Sequence, residues 1–349
     1  VKHFISALTI FLIAFSCQKS NNKISVERAF YFWKNQDRYN DSSFYHANKN
    51  SISKLYVKYF EVDYSEAKGN YPYEKIDEYS HFFSEMENVT IVPTIFIKNE
   101  IFKYNEEKDL DKLADNIIFL IEKRNKVFTS ENSNTIIDNE IQLDCDWTKT
   151  TKDKYFYLLK SIKKRSKTKI SCTLRLYPYK YSEIMGVPPV DKVTLMCYNL
   201  IKPLSDKHKN SILDIDELSK YLNVKRKYPI HLDIALPVYS WSQLYQNDHF
   251  IKLIDISSNT LESFCVNTEP LWYTVEKDTS MNWNDYYRVG DRIKCEEVSS
   301  KDIDKAISII KKNIDLDNST TIILFDLSET VFKNYSYEEI NNFYSAFTR

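Results

Sequence analysis

The stretch Glu140-Ile-Gln-Leu-Asp-Cys-Asp-Trp-Thr148 carries two carboxylates two residues apart. Side chains alternate along an extended chain, so Ile141, Leu143, Cys145 and Trp147 share one face and Gln142, Asp144, Asp146 and Thr148 the other. Burying an ionised carboxylate without partners is costly. Asp144 and Asp146 therefore belong either to a satisfied polar network with Gln142, Arg175 and Tyr198 or to a working site. Such a pair can transfer protons or accept hydroxyl hydrogen bonds. Asp146, nearer the strand end, is the better candidate for chemistry. Thr148, Thr150 or Thr151 is available as the N-cap of the helix that follows, and Thr148 reads as such a cap rather than a nucleophile, because the sequence places no histidine or lysine base beside it.

The elements that must hold this stretch alternate between strand and helix along the chain. Strands are expected at Val26 to Trp33, Lys54 to Tyr64, Thr90 to Ile97, Glu140 to Thr148, Lys169 to Tyr177, Lys192 to Ile201, Ile230 to Tyr239 and Thr321 to Leu327. Apolar stripes at helical spacing separate several of them: Leu110, Leu113, Ala114, Ile117 and Ile121; then Tyr155, Leu158, Leu159 and Ile162; then Ile303, Ala306, Ile307 and Ile310. The tyrosine-rich stretch Tyr71 to Glu87 reads as helix or loop. Eight strand-helix repeats predict an α/β fold, a (β/α)8 TIM-type barrel over residues 26–349, with residues 242–300 as an irregular, aromatic insertion between strand seven and its helix.

Active sites of such barrels lie at the C-terminal ends of the strands. The residues expected there are Trp33, Glu61, Asp63, Asp144, Asp146, Arg175, Tyr177, Tyr198, Asn199, Tyr239, Trp241 and Asp326. Aromatics mixed with carboxylates and one arginine suit a carbohydrate: rings stack on sugar faces, and carboxylates accept hydroxyl hydrogen bonds. His231 and Asp233 sit at the start of strand seven, the stability end, and read as structural.

Composition narrows the partners. With 48 basic and 49 acidic residues and no long run of either sign, the chain lacks a nucleic-acid footprint. Its three glycines, Gly69, Gly186 and Gly290, are scattered, so no phosphate-cradling loop for a nucleotide is present. No CxxC or His-Cys spacing suggests a metal, and no cofactor is expected. Cys145, Cys172 and Cys197 fall on apolar strand faces and read as packing. Cys265 and Cys295 flank the irregular segment and are candidates for a disulfide in an oxidising compartment. At the N-terminus, Lys2 and His3 precede the apolar run Phe4 to Phe15, and Ala14-Phe15-Ser16-Cys17 then gives way to polar residues. This layout resembles a bacterial lipoprotein signal over residues 1–16, with Cys17 lipidated, residues 17–25 as a tether and the barrel anchored to the membrane of the cell envelope. No acidic cluster follows Cys17, which favours a periplasm-facing position.

Three segments resemble the chitinase-like family 18 glycoside hydrolases. Leu143-Asp144-Cys145-Asp146-Trp147-Thr148 is similar to that family's fourth-strand motif of alternating aspartates ending in Asp-Trp-Glu. Leu195-Met196-Cys197-Tyr198-Asn199 resembles its sixth-strand Met-x-Tyr-Asp/Asn, and Ala235-Leu236-Pro237-Val238-Tyr239 its seventh-strand Pro-x-Tyr. The resemblance implies a glycan-binding barrel. It also locates a departure: the family's terminal glutamate, which protonates the glycosidic oxygen, corresponds to Thr148, and the strand-eight tryptophan is not evident in Ile322 to Asp326. Threonine is no general acid near neutral pH, so the family's mechanism does not carry over intact. The expected function is a membrane-tethered glycan-binding barrel without the usual chemistry. The alternatives are an active hydrolase pairing Asp146 with Glu61, Asp63 or Asp326, or an envelope protein whose barrel contacts another protein.

Overall fold

The computed structural model describes residues 24–34, 42–73, 89–131, 135–282 and 285–348. The expected signal, Cys17, most of the tether, residues 74–87 of the tyrosine-rich stretch and Trp283 lie outside the described residues. Among those described, eight parallel strands close into a ring: β1 Ser25–Phe32, β2 Lys54–Ser65, β3 Thr90–Ile97, β4 Glu140–Asp144, β5 Lys169–Arg175, β6 Lys192–Met196, β7 His231–Pro237 and β8 Ser319–Phe325. Each pairs with the next, and β8 closes on β1 with Ser319 opposite Ser25. This is the expected (β/α)8 barrel with an insertion after strand seven.

Strands covered on both faces read as nearly continuous apolar runs, and here the lumen adds a polar variation. On β5, Ile170, Cys172 and Leu174 are fully buried, while Ser171 and Thr173 alternate with them and hydrogen-bond to side chains of β4. The helix Lys152–Arg165 buries Tyr155, Leu158, Leu159 and Ile162, the stripe read from spacing. The helix Ser300–Asn313 buries Ile303, Ala306, Ile307 and Ile310; each isoleucine contributes roughly 1.5–3 kcal/mol by leaving water. Ser299 caps its first turn by accepting from the Asp302 N–H, and Lys311 and Lys312 lie in its last turn, favourable at a helix C-terminus.

Several strands end earlier than their sequence suggests. β4 stops at Asp144 rather than Thr148, β5 at Arg175, β6 at Met196 and β7 at Pro237. At the rim each chain turns away from its neighbours and loses the ladder partners that define a strand, although side-chain alternation persists in the sequence. Tyr177 consequently sits on a helical turn, Leu176–Lys180. β2 instead runs past the rim and folds back in an antiparallel hairpin with Gly69–Tyr73, so that Glu61 faces Tyr73.

The insertion is a second, antiparallel sheet rather than irregular chain. Its strands are His249–Ile254, Trp241–Gln246, Arg292–Glu296, Trp272–Val275 and Cys265–Glu269 in spatial order, around a small core of Leu244, Phe264, Tyr287 and Ile293. Strands this short show too few alternations for periodicity to reveal. The candidate disulfide does not form: Cys265 and Cys295 are both free and buried. Their strands are separated by Trp272–Val275, and two strand spacings amount to about 10 Å, beyond the reach of a disulfide.

Candidate functional site

The inward side chains of β4 and its extension climb the lumen as a ladder, each bonded to a side chain of another strand. At the bottom, Glu140 accepts from Ser171 at 2.6 Å and pairs with Lys192 at 2.8 Å. One step up, Gln142 accepts from the Tyr31 hydroxyl at 2.8 Å and donates to Thr194 at 3.0 Å. Next, Asp144 accepts from the Thr173 hydroxyl at 2.5 Å. At the top, Asp146 meets Arg175 at 3.4 Å, with 55% of its side chain exposed. The network expected around Asp144 is thus distributed differently: Gln142 bonds Tyr31 and Thr194, and Arg175 reaches Asp146.

Among the described residues, the hydrogen-bond donor to the Asp144 carboxyl is the neutral Thr173 hydroxyl. Burial, with the Asp146 carboxylate adding to it, pushes the Asp144 carboxyl up to about 7, against the pull of Thr173 and Arg175. Near neutrality it therefore holds a proton for much of the time. Arg175 also donates to the Asn199 carbonyl at 3.2 Å, and the Asn199 side chain accepts from the Tyr239 hydroxyl at 2.5 Å. Asn199 sits at φ +52°, a left-handed conformation that asparagine tolerates better than most residues. This single residue orients both the arginine and the tyrosine.

The mouth has an aromatic floor. Phe325, half-buried at the end of β8, lies with ring centroids 5.6 Å from Tyr31, 5.7 Å from Trp33, 5.2 Å from Tyr198 and 5.5 Å from Tyr239. Trp241 meets Tyr239 edge-on at 5.5 Å. Trp33, Tyr239 and Trp241 are partly exposed; Tyr198, at 2% exposure, supports the floor from beneath and is not available to a ligand. From Tyr239, Trp241, Phe325 and Asp326 a groove of about 790 Å³ opens between the insertion's Leu253 and Asp255 and the β8 loop at Glu329 and Lys333.

The insertion is fastened to this mouth by Glu296. Its carboxylate is fully buried and accepts from Trp241 Nε1 at 2.6 Å, Gln243 at 2.9 Å and the Ser211 hydroxyl at 2.6 Å, while pairing with buried Lys294 at 2.7 Å. Burial alone would raise this carboxyl. The bonds from Lys294, Ser211 and Trp241 outweigh it and hold the group below its usual range.

Of the residues expected at the site, Trp33, Asp146, Arg175, Asn199, Tyr239, Trp241 and Asp326 gather at the mouth, with Asp144 just below. Glu61 is taken up by Lys58 at 2.7 Å. A bulge between Lys58 and Phe60 shifts the register of β2 and lets these two residues share a side despite their odd spacing. Asp63 belongs to the hairpin, paired with Lys98 at 2.6 Å, and that hydrogen bond leads the effects that hold its carboxyl low. Tyr177 is turned outward, 48% exposed against Tyr181.

Of the three threonines available as the helix cap, Thr151 takes the position rather than Thr148, which is exposed with its hydroxyl 3.0 and 3.1 Å from those of Thr150 and Thr151. A hydroxyl cluster occupies the place where the resemblance puts an acid. Sequence reasoning missed Phe325, whose signal was its position at the end of an apolar strand beside Asp326. It also missed Lys58 and Glu296, for which spacing carried no signal. Among the described residues, no group of His, Cys, Asp and Glu is placed to hold a metal ion.

No protein-family model matches the sequence, and no curated protein matches it. Solved structures do. The chain is similar to a chitinase from Bacteroides thetaiotaomicron, with a TM-score of 0.55 at 12% identity over 92% of this chain and 96% of that one. It is similar to the spore cortex-lytic enzyme SleL of Bacillus cereus, with a TM-score of 0.55 at 14% identity over 91% and 74%. A family 18 chitinase, ChiB of Flavobacterium johnsoniae, gives 0.50 at 13% identity over 93% and 95%. At such identities the likeness lies in the fold alone, the closed (β/α)8 barrel.

Proposed function

We propose that this chain is a glycan-binding barrel in which the chemistry of the family 18 hydrolases has been lost. One observation carries the reading: Thr148, which the resemblance aligns with the general acid, is exposed, and its hydroxyl lies within hydrogen-bond distance of two other threonines. The floor supplies stacking faces, and Asp146 with Arg175 supplies a partly exposed acceptor and donor at its rim. Recognition needs both. Protonating a glycosidic oxygen needs an acid that Thr148 cannot be.

A second reading, an active hydrolase built on Asp146, draws on the exposure of that carboxylate. Of the partners considered, Glu61 pairs with Lys58 and Asp63 with Lys98, and Asp326 lines the groove beside the floor, so Asp326 is the partner this reading would test first. The deciding experiment is a glycan array with the protein lacking residues 1–23, followed by reducing-end assays on whatever binds. Polymers of N-acetylhexosamine come first, because the structural neighbours include chitinases. Binding without release of reducing ends supports the proposal. Hydrolysis abolished by Asp146→Asn would replace it with the second reading, and the absence of any glycan bound would remove both.

Anchoring through Cys17 is part of the same proposal. Cys17→Ala is expected to move the protein from the membrane fraction to the soluble fraction, and continued tethering would count against lipidation.

A further inference from the structure

Beyond the mouth, where β2 continues into its hairpin, Tyr64 stacks on Tyr104 with ring centroids 4.6 Å apart and planes 10° from parallel. Tyr104 ends the short helical turn Ile101–Tyr104 that follows β3 and is 59% exposed. A ring this exposed contributes little to the core. Held flat by its partner, it presents a broad face to solvent in a fixed orientation.

Beside the pair, Asn70 and Asn105 exchange side-chain amide hydrogen bonds at 2.8 and 2.9 Å. Asn105, at 4% exposure, is anchored further by donating to the Ile101 carbonyl at 2.8 Å. An amide has two donor hydrogens and two acceptor lone pairs, so this exchange uses only half of what Asn70 offers. With Lys68 and Asp109 these residues line a groove of about 430 Å³. That lies within the roughly 300–1,000 Å³ typical of small-ligand sites. A flat ring face bordered by an amide, an ammonium and a carboxylate recognises a pyranose: the C–H face of the sugar covers the ring, and its hydroxyls take up the polar groups.

We propose that this groove is a second carbohydrate-binding site, which holds a further stretch of the polymer whose other part lies in the mouth. Tyr64 stands three residues beyond Glu61 on β2, about 10 Å along the strand and on its opposite face, so a chain of several sugars that leaves the mouth and crosses the hairpin reaches it. The proposal rests on the glycan reading above, and its test separates the two.

The probes are N-acetylchitotriose in solution, followed by calorimetry, and insoluble chitin, followed by retention in a pull-down. Tyr104→Ala is expected to lower retention on chitin about tenfold, to leave the affinity for the trisaccharide within twofold and to leave the melting temperature unchanged. Asp146→Asn is expected to weaken binding to both probes. Retention unchanged in Tyr104→Ala would overturn the second site and leave the mouth reading standing. Loss of both probes in Tyr104→Ala with neither lost in Asp146→Asn would overturn the two-site arrangement and the mouth reading together. Failure of the unsubstituted protein to bind either probe overturns both proposals.

Discussion

The two ends of the lumen carry the same kinds of side chain and use them differently. At the bottom, Lys192 lies 2.8 Å from both Glu140 and Asp233, whose side chains are 3% and 0% exposed. His231 adds a contact to Asp233 at 3.1 Å and to Asp317 at 2.8 Å. At the mouth, Asp144 has a hydroxyl for a partner, and Asp146 meets Arg175 at 3.4 Å in the open. Charge at the bottom is saturated within the protein. Charge at the mouth is left partly exposed to solvent, and on the proposed reading this difference separates a structural network from a site.

The comparison breaks first, and most heavily, at Lys192. Replacing it by methionine leaves Glu140 and Asp233 buried without their cation, and losing one partner of a buried pair costs roughly 3–5 kcal/mol. Urea unfolding of Lys192→Met should show a loss of that size, and the equivalent change at the rim, Arg175→Met, a loss of less than about 1 kcal/mol. Similar losses at both positions would mean that the mouth is as much a part of the framework as the base.

A smaller effect, of opposite sign at the two ends, is expected with pH. The Asp144 carboxyl stands at about 7 in the folded chain against an ordinary 3.8, so between these values the folded state keeps a proton that the unfolded state has released. Asp144 therefore lowers stability as pH rises from about 4 to about 7. Asp233 does the reverse. Burial would raise it, but hydrogen bonds from His231 and Lys192, with the lysine's charge, hold it down to about 2, so its contribution is present above 3.8 and lost as pH falls toward 2. Asp144→Asn keeps an acceptor for Thr173 and removes the titration. At pH 8 it should be more stable than the unsubstituted chain by an amount on the order of 4 kcal/mol at most, with the gap closing by pH 4. Denaturation midpoints across that range measure it, and a gap that does not change with pH would mean that Asp144 is not held protonated.

The barrel was legible because each strand repeats a strong local signal: β3 matches its expected span, and the stripes of Lys152–Arg165 and Ser300–Asn313 are the ones buried. The ladder was half legible. Alternation in Glu140 to Thr148 sorted the side chains by face, but which residue meets which depends on the stagger between β4 and β5, a property of closure that one strand does not contain. Glu296 was invisible for a related reason. Its partners Ser211, Trp241 and Lys294 come from three separate segments, and only the folded insertion brings them together. Glu61 was misjudged because a bulge changes which residues share a face, and bulges leave no trace in a pattern of period two.

The finest distinction between the ends is whether a side chain can be altered without the fold noticing. Asp146 is 55% exposed and pairs loosely with Arg175, and such surface pairs contribute about 0–1 kcal/mol. Asp146→Asn should therefore leave the unfolding midpoint almost where it was. Its effect belongs to the ligand: an amide in place of the carboxylate loses the charge-assisted acceptor that a sugar hydroxyl would use, and hydrogen bonds to charged groups carry roughly 1.5–3 kcal/mol. A loss of about tenfold or more in glycan affinity, beside an unchanged midpoint, would assign Asp146 to recognition. If stability falls while affinity holds, the ladder is structural to its top, and the difference between base and mouth is one of solvent exposure alone.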